Sequence, residues 1–270
     1  SDTIFMLKGY AGTGKTSIVS ALIQAMDELK QPVILMAPTG RAAKVLSSYS
    51  NHVAYTIHKK IYRQNFAGEL NGSFSLDFNP HKHTLFIVDE ASMISNYDEG
   101  NFGSGNLMDD LVSYVYGTEG CRLILVGDSA QLPPVGQEIS PALDPQYFRD
   151  TYLHTIEYEL TEVVRQATES GILWNATYLR QRITEEQFME FPKINTQFPD
   201  IEKISGEDLI EEISSSYSHN GSDDTIIISR SNKRANIFNN GIRNRILYRE
   251  EELSSGDLLM IVRNNYFWSK

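Results

Sequence analysis

Apolar residues recur along this chain in two spacings. Residues 4–7 form a short unbroken apolar run ended by Gly9, and Val33–Ala37, Leu85–Val88 and residues 123–126 repeat the form. Runs this short, apolar at consecutive positions and closed by Gly, Pro or Asp, predict strands buried on both faces of a sheet. Between the first two, Ile18, Val19, Leu22, Ile23 and Met26 fall at helical spacing, which predicts a helix over residues 17–29. Pro38 and Gly40 mark a turn, with a helix expected over 41–48. Strands alternating with helices imply a parallel sheet covered on both faces. Polar residues gather where these strands end, which is where open α/β sheets bind ligands.

A second block begins near Leu160. Residues 169–182 read as helical, and Ser205-Gly206-Glu207-Asp208 precedes an amphipathic helix reaching about Ser216. Residues 225–229 are β-branched and predict a strand, with a helix after it over 233–247. The expected division is therefore residues 1–155 and 156–270. Residues 96–106 form a Gly/Asn-rich loop. Residues 63–83 read as an insertion with alternating apolar positions, in which Leu70-Asn71-Gly72 suits a hairpin turn.

Charge alters this picture more than composition does. The net charge of −11 argues against a general polyanion binder. Yet no acid lies between Glu28 and Glu69, where Lys30, Arg41, Lys44, Lys59, Lys60 and Arg63 occur. Residues 225–249 are also acid-free and carry Arg230, Lys233, Arg234, Arg243, Arg245 and Arg249. Two such stretches suit the walls of one anion-binding groove in an otherwise acidic protein. The single cysteine, Cys121, excludes an internal disulfide and fits a reducing cytoplasm or nucleus. No run of about 18 apolar residues exists to cross a membrane, and the first residues lack the basic start of a signal peptide.

The chemistry sits at the strand ends. Gly9-Tyr10-Ala11-Gly12-Thr13-Gly14-Lys15-Thr16 matches G-x-x-x-x-G-K-[ST], between a strand and a helix. Glycines let successive amides curl around phosphate oxygens, and the helix after the loop turns its positive end toward them. In such a loop Gly9, Ala11, Gly12, Thr13, Gly14, Lys15 and Thr16 hold ATP. Lys15 reaches the β- and γ-phosphates, and the Thr16 hydroxyl ligates Mg²⁺. Asp89, at the end of the third run, is placed to hold Mg²⁺. Glu90 is placed to orient or deprotonate the attacking water. Gln131, in Gly127-Asp128-Ser129-Ala130-Gln131-Leu132-Pro133-Pro134-Val135, offers an amide to the γ-phosphate, and the two prolines stiffen the segment beyond it.

Together these strings resemble superfamily 1 DNA helicases of the RecD and petite-integration-frequency type. Ala37-Pro38-Thr39-Gly40-Arg41-Ala42-Ala43 and Thr56-Ile57-His58 resemble the family's first two DNA-contact motifs. Asp89-Glu90-Ala91-Ser92-Met93 resembles its Mg²⁺ motif, the 127–135 string its coupling motif, and Leu160-Thr161-Glu162-Val163-Val164-Arg165-Gln166 the motif that opens its second domain. The resemblance implies an α/β P-loop fold in which a RecA-like domain is followed by a partial second RecA-like domain. It implies ATP-driven 5′ to 3′ movement on single-stranded DNA and unwinding at duplex junctions, in DNA repair or recombination. Pro38, Thr39, Arg41, Thr56 and His58 would line the strand, Arg165 would be an arginine finger, and residues 63–83, with Phe66, Phe74 and Phe78, a wedge or their own small core.

Two features of the family are missing. Only eight residues precede Gly9, where its adenine-binding glutamine would stand, and its last motif, a His-Lys-Ser-Gln-Gly string followed by an arginine, does not occur. The expectation is a chain holding the first domain whole and the second in part. Other readings are a RecD-like subunit of an exodeoxyribonuclease complex, a nucleotide-binding switch without motor activity, and a metabolite kinase, in which Arg165 and the 127–135 string would have no job.

Overall fold

A computed structural model describes residues 2–64, 74–97, 102–149, 151, 153–161, 170–185 and 189–259. The chain divides into two compact units, Ser1–Asn195 and Thr196–Lys270.

The first unit is built on a six-stranded sheet. Its strands are β1 (Thr3–Gly9), β2 (Val33–Ala37), β3 (Ala54–Thr56), β6 (Leu85–Val88), β7 (Arg122–Gly127) and β8 (His154–Leu160), in the order β3-β2-β6-β7-β1-β8. Every neighbouring pair is parallel. Two short antiparallel strands, β4 (Tyr62–Gln64) and β5 (Phe74–Leu76), form a separate ribbon. Ladder pairing satisfies the backbone, so side chains alternate between two apolar layers. Ile4, Met6, Ile34, Met36, Phe86, Val88, Leu123 and Leu125 enter one layer. Leu7, Leu35, Ile87 and Val126 enter the other.

Helices close both layers. Helix α1 (Lys15–Glu28) brings Val19 and Ile23, and α2 (Gly40–Ser50) brings Leu46, to the second layer. The first is covered by α3 (Ile57–Ile61), α4 (Leu107–Tyr116) and the 3-10 turns Ala91–Met93, Pro141–Leu143 and Pro145–Phe148. Helix α4 was not foreseen, although its signals are in the sequence. Asn106 Oδ1 accepts from the amides of Met108 and Asp109 at 3.1 and 3.2 Å, Asp109 and Asp110 stand in the first turn, and Leu107, Met108, Leu111, Tyr114 and Val115 are buried. The Asp110 carboxylate is buried and accepts from the Tyr62 hydroxyl at 2.7 Å and the Ser104 amide at 2.9 Å. Helix α5 (Gly171–Thr184) ends the first unit. Its buried Asn175 donates to the Asn195 carbonyl and accepts from the Asn195 amide.

The division therefore falls later than the boundary expected at 155. Strand β8 pairs with β1 along its whole length, from Thr3↔His154 to Gly9↔Leu160, so a cut at 155 would pass through the sheet. In the ribbon, Phe74 stacks on Phe102 with centroids 4.3 Å apart and packs on the main core, whereas Phe78 is exposed. Phe66 and the turn at 70–72 lie outside the described residues.

The second unit holds α6 (Leu209–His219) and α7 (Asn232–Arg245), the latter capped by Ser231, whose hydroxyl accepts from the Arg234 amide. Residues 225–229, expected as a strand, form no regular element and pair with no strand, with Ile226 and Ile228 80% and 89% exposed. Propensity favours an extended chain there, but a strand also needs a neighbour, and the second unit contains no strand among the described residues.

Candidate active site

The loop from β1 to α1 turns at Gly12 and Gly14, whose φ values of 83° and 90° suit residues without a side chain. Thr13 stays buried and directs both its amide and its hydroxyl to the Tyr10 carbonyl, at 3.2 and 2.7 Å. Helix α1 has neither a capping side chain nor an acid in its first turn. Its leading amides thus face the loop as donors for an anion. Gly9 admits no side chain, since a Cβ there would lie 2.7 Å from Thr13 Oγ1 and 2.9 Å from Leu160 Cβ. The Lys15 ammonium donates to the Gly9 and Tyr10 carbonyls at 2.6 and 2.9 Å. Burial lowers its pKa, while Asp128, Glu90 and Asp89 pull the other way. Thr16 is exposed at the first turn of α1.

The acids arrive on the ends of β7, beside β1, and of β6, beyond it. Asp89 follows β6, where its amide donates to the Met36 carbonyl at 3.0 Å. One carboxylate oxygen accepts from the Glu90 amide at 2.9 Å and the other from the Tyr49 hydroxyl of α2 at 2.8 Å. Glu90 takes a left-handed backbone, φ 55°, which is uncommon without glycine and turns the chain sharply at the site. Burial raises its pKa, Asp89 adds to the rise, and a hydrogen bond from Gln131 opposes it. Gln131 Oε1 accepts from the Ser92 hydroxyl at 3.0 Å, so one amide joins the β6 and β7 ends. Asp128 is buried behind it and caps the Ala130 amide at 2.9 Å. Thus Lys15, Asp89, Glu90 and Gln131 come together at one end of the sheet. Asp128, Tyr49 and Tyr10 join them without having been singled out. Asp128 follows a strand just as Asp89 does, which was the available signal.

A second strip adjoins on β2 and β3. Ala37 and Thr56 are register partners, so Pro38, Thr39, Arg41, Thr56 and His58 leave the sheet side by side. Thr39 and Thr56 each cap a helix, accepting from the amides of Ala42 and Lys59 at 3.2 Å. Arg41 is exposed. The His58 ring lies 5.1 Å from that of Phe102 and 5.7 Å from that of Tyr62, within an aromatic cluster. Arg165 lies outside the described residues.

A parallel sheet whose first strand feeds a glycine-rich phosphate loop, with acids on the neighbouring strand ends, defines a P-loop protein of RecA-like α/β fold. Residues 1–190 match the AAA domain family, and the chain belongs to it. It is 31% identical over 176 residues to the "ATP-dependent RecD2 DNA helicase" of Deinococcus radiodurans, covering 63% of this chain and 21% of that protein. It is 34% identical over 164 residues to "ATP-dependent DNA helicase dda" of Enterobacteria phage T4, covering 59% and 34%. A crystal structure of Pif1 helicase from Candida albicans aligns over 88% of this chain and 57% of that one, at 17% identity and a TM-score of 0.43. The chain thus spans about a fifth to a third of the length of these two curated relatives. No helix among the described residues is long and apolar enough to cross a membrane.

Proposed function

We propose that this chain is the motor core of an ATP-dependent DNA helicase that moves 5′ to 3′ on single-stranded DNA in the cytoplasm. The observation that carries the reading is the convergence of Lys15, Asp89, Glu90 and Gln131 at a P-loop, with the 38–41 and 56–58 strip on β2 and β3, the strands beyond β6 in the same sheet. The two helicase relatives support it. Lys15 exchanges its carbonyl partners for the β- and γ-phosphate oxygens, and the α1 amides hold the remaining oxygens. Thr16 and Asp89 supply hard oxygen donors suited to Mg²⁺. The described residues contain no cluster of three or more acids, histidines or cysteines able to hold a metal by itself, which fits an ion that completes its shell with phosphate and water oxygens. Mg²⁺ would neutralise charge on the phosphates. Glu90, whose affinity for protons burial increases, orients and takes a proton from the attacking water. Gln131 touches the γ-phosphate and, through Ser92 and the 127–135 segment, reports it. Arg165 acts as the arginine finger that its motif implies.

Pro38, Thr39, Arg41, Thr56 and His58 hold the strand. The threonine oxygens accept cap hydrogen bonds and their O–H groups can still donate, so main-chain amides and hydroxyls hold phosphates, beside Arg41 and the His58 ring, and base sequence is read weakly. Residues 63–83 bear on the duplex junction, and the second unit supplies part of a second RecA-like domain.

The test is ATP hydrolysis with and without oligo-dT, alongside Lys15→Ala. Strong stimulation that vanishes in Lys15→Ala is expected. Equal hydrolysis with and without oligo-dT would refute a motor and leave a nucleotide-binding switch. Unwinding of 5′- against 3′-tailed duplexes tests direction.

A further inference from the structure

The arginine that the structure places at the P-loop is one that no motif marks. Arg180 lies on α5, and its guanidinium sits 4.4 Å from the centroid of the Tyr10 ring. Tyr10 is the second residue of the phosphate loop, and its carbonyl is one of the two that receive the Lys15 ammonium. The two cations therefore flank a single residue, and Arg180 is one of the charges that bear on Lys15.

Such a placement costs free energy unless something offsets it. Like charges repel, and a half-buried guanidinium without a counter-ion has lost water for no gain. Among the described residues, Arg180 has no ion pair and no hydrogen bond. Arg182, two positions on, behaves otherwise: its guanidinium donates to the Glu190 carbonyl at 2.6 Å and lies over the Tyr178 ring. Lying over the Tyr10 ring, the Arg180 guanidinium keeps its N–H groups unengaged by hydrogen bonds among the described residues. A guanidinium is planar and its N–H groups match two oxygens of one phosphate.

We propose that Arg180 is a nucleotide-binding residue, a second cation beside Lys15 that holds the terminal phosphates of ATP from within the same compact unit. Tyr10 is the platform that orients it. The proposal rests on the P-loop reading above and concerns a different residue from Arg165, on helix α5 beside the Tyr10 ring.

Affinity for the fluorescent analogues mant-ATPγS and mant-ADP, with Mg²⁺, tests this without reference to turnover. Arg180→Ala is expected to weaken mant-ATPγS by about tenfold, equivalent to ~1.4 kcal/mol, and mant-ADP by clearly less. Gln181→Ala, on the exposed side of α5, should bind both as wild type does. Arg180→Gln, which keeps a polar unbranched stem and removes the charge, should reproduce the loss and serves if the alanine variant does not fold. Wild-type affinity for mant-ATPγS in a folded Arg180 variant overturns the proposal. An equal loss for both nucleotides overturns it as well, because Arg180 would then not touch the terminal phosphate. A lowered melting temperature with unchanged affinities would make the Tyr10 contact mere packing, and the proposal would fall in that case too. If Lys15→Ala also binds as wild type does, the P-loop reading itself has failed, which is a different outcome.

Discussion

Replacing Gly9 by alanine tests the sheet and the site with one methyl group. The added Cβ would meet Thr13 Oγ1 at 2.7 Å, Leu160 Cβ at 2.9 Å and the Leu160 carbonyl oxygen at 3.2 Å. None of the three is the free end of a flexible side chain. The Thr13 hydroxyl is tied to the Tyr10 carbonyl at 2.7 Å. Leu160 is the residue that β8 pairs with Gly9. Either β1 and β8 part by some tenths of an ångström or the loop gives up its Thr13 bonds. Overpacking of this kind costs about 1–3 kcal/mol. For a unit of this size that lowers Tm by about 2–4 °C per kcal/mol. The assay is thermal unfolding of Gly9→Ala, Thr13→Ala and the double variant, each with a mant-nucleotide titration. Thr13→Ala removes the nearest obstacle, so the double variant should be less destabilised than the two single losses combined, a coupling of contacting residues. Nucleotide affinity should fall in Gly9→Ala because the loop amides move with Thr13. Wild-type Tm together with wild-type affinity in Gly9→Ala would refute both the β1–β8 register and the closeness of the loop to it.

Two further outcomes are expected. Asn106→Ala removes the cap of α4 together with the bond from Asn106 to Tyr147, so unfolding should shift by about 1–2 kcal/mol, and a shift within a few tenths would contradict the capping geometry. Asp257, paired with Arg243 and Arg249 at 2.8 Å and accepting the Ser254 amide, is held at about 2 against an ordinary 3.8. A depressed carboxyl value means its stabilising effect is complete above about pH 4 and fades as pH falls toward 2; a carboxyl NMR titration of Asp257 with a midpoint near 4 would show that the Ser254 amide and the two arginines do not hold it.

Much of the first unit was legible because its strands are buried on both faces and so read as unbroken apolar runs. The β1, β2, β6 and β7 runs were found this way, and their polar ends gave Lys15, Asp89, Glu90 and Gln131. What escaped lies at the margins of the sheet. Strand β3 has three half-buried residues. Strand β8, with Ile156 and Tyr158 44% and 59% exposed, is an edge strand whose alternation with Thr155, Glu157 and Glu159 hides it. Residues 225–229 failed in the opposite sense, because propensity is local and pairing is not. Arg180 was invisible for a related reason. A single arginine on a helix is ordinary in sequence, and only the packing of α5 brings it to Tyr10.

The hydrogen bond between Tyr49 and Asp89 gives α2 a mechanical character. The helix has eleven residues, so it is a strut of about 16 Å at 1.5 Å per residue. Thr39 and Arg41 stand at its leading end. Near its far end, Tyr49 grips the carboxylate assigned to the metal. One helix therefore joins the strand-end turn that carries Thr39 and Arg41 to the Asp89 carboxylate, with no loop between them.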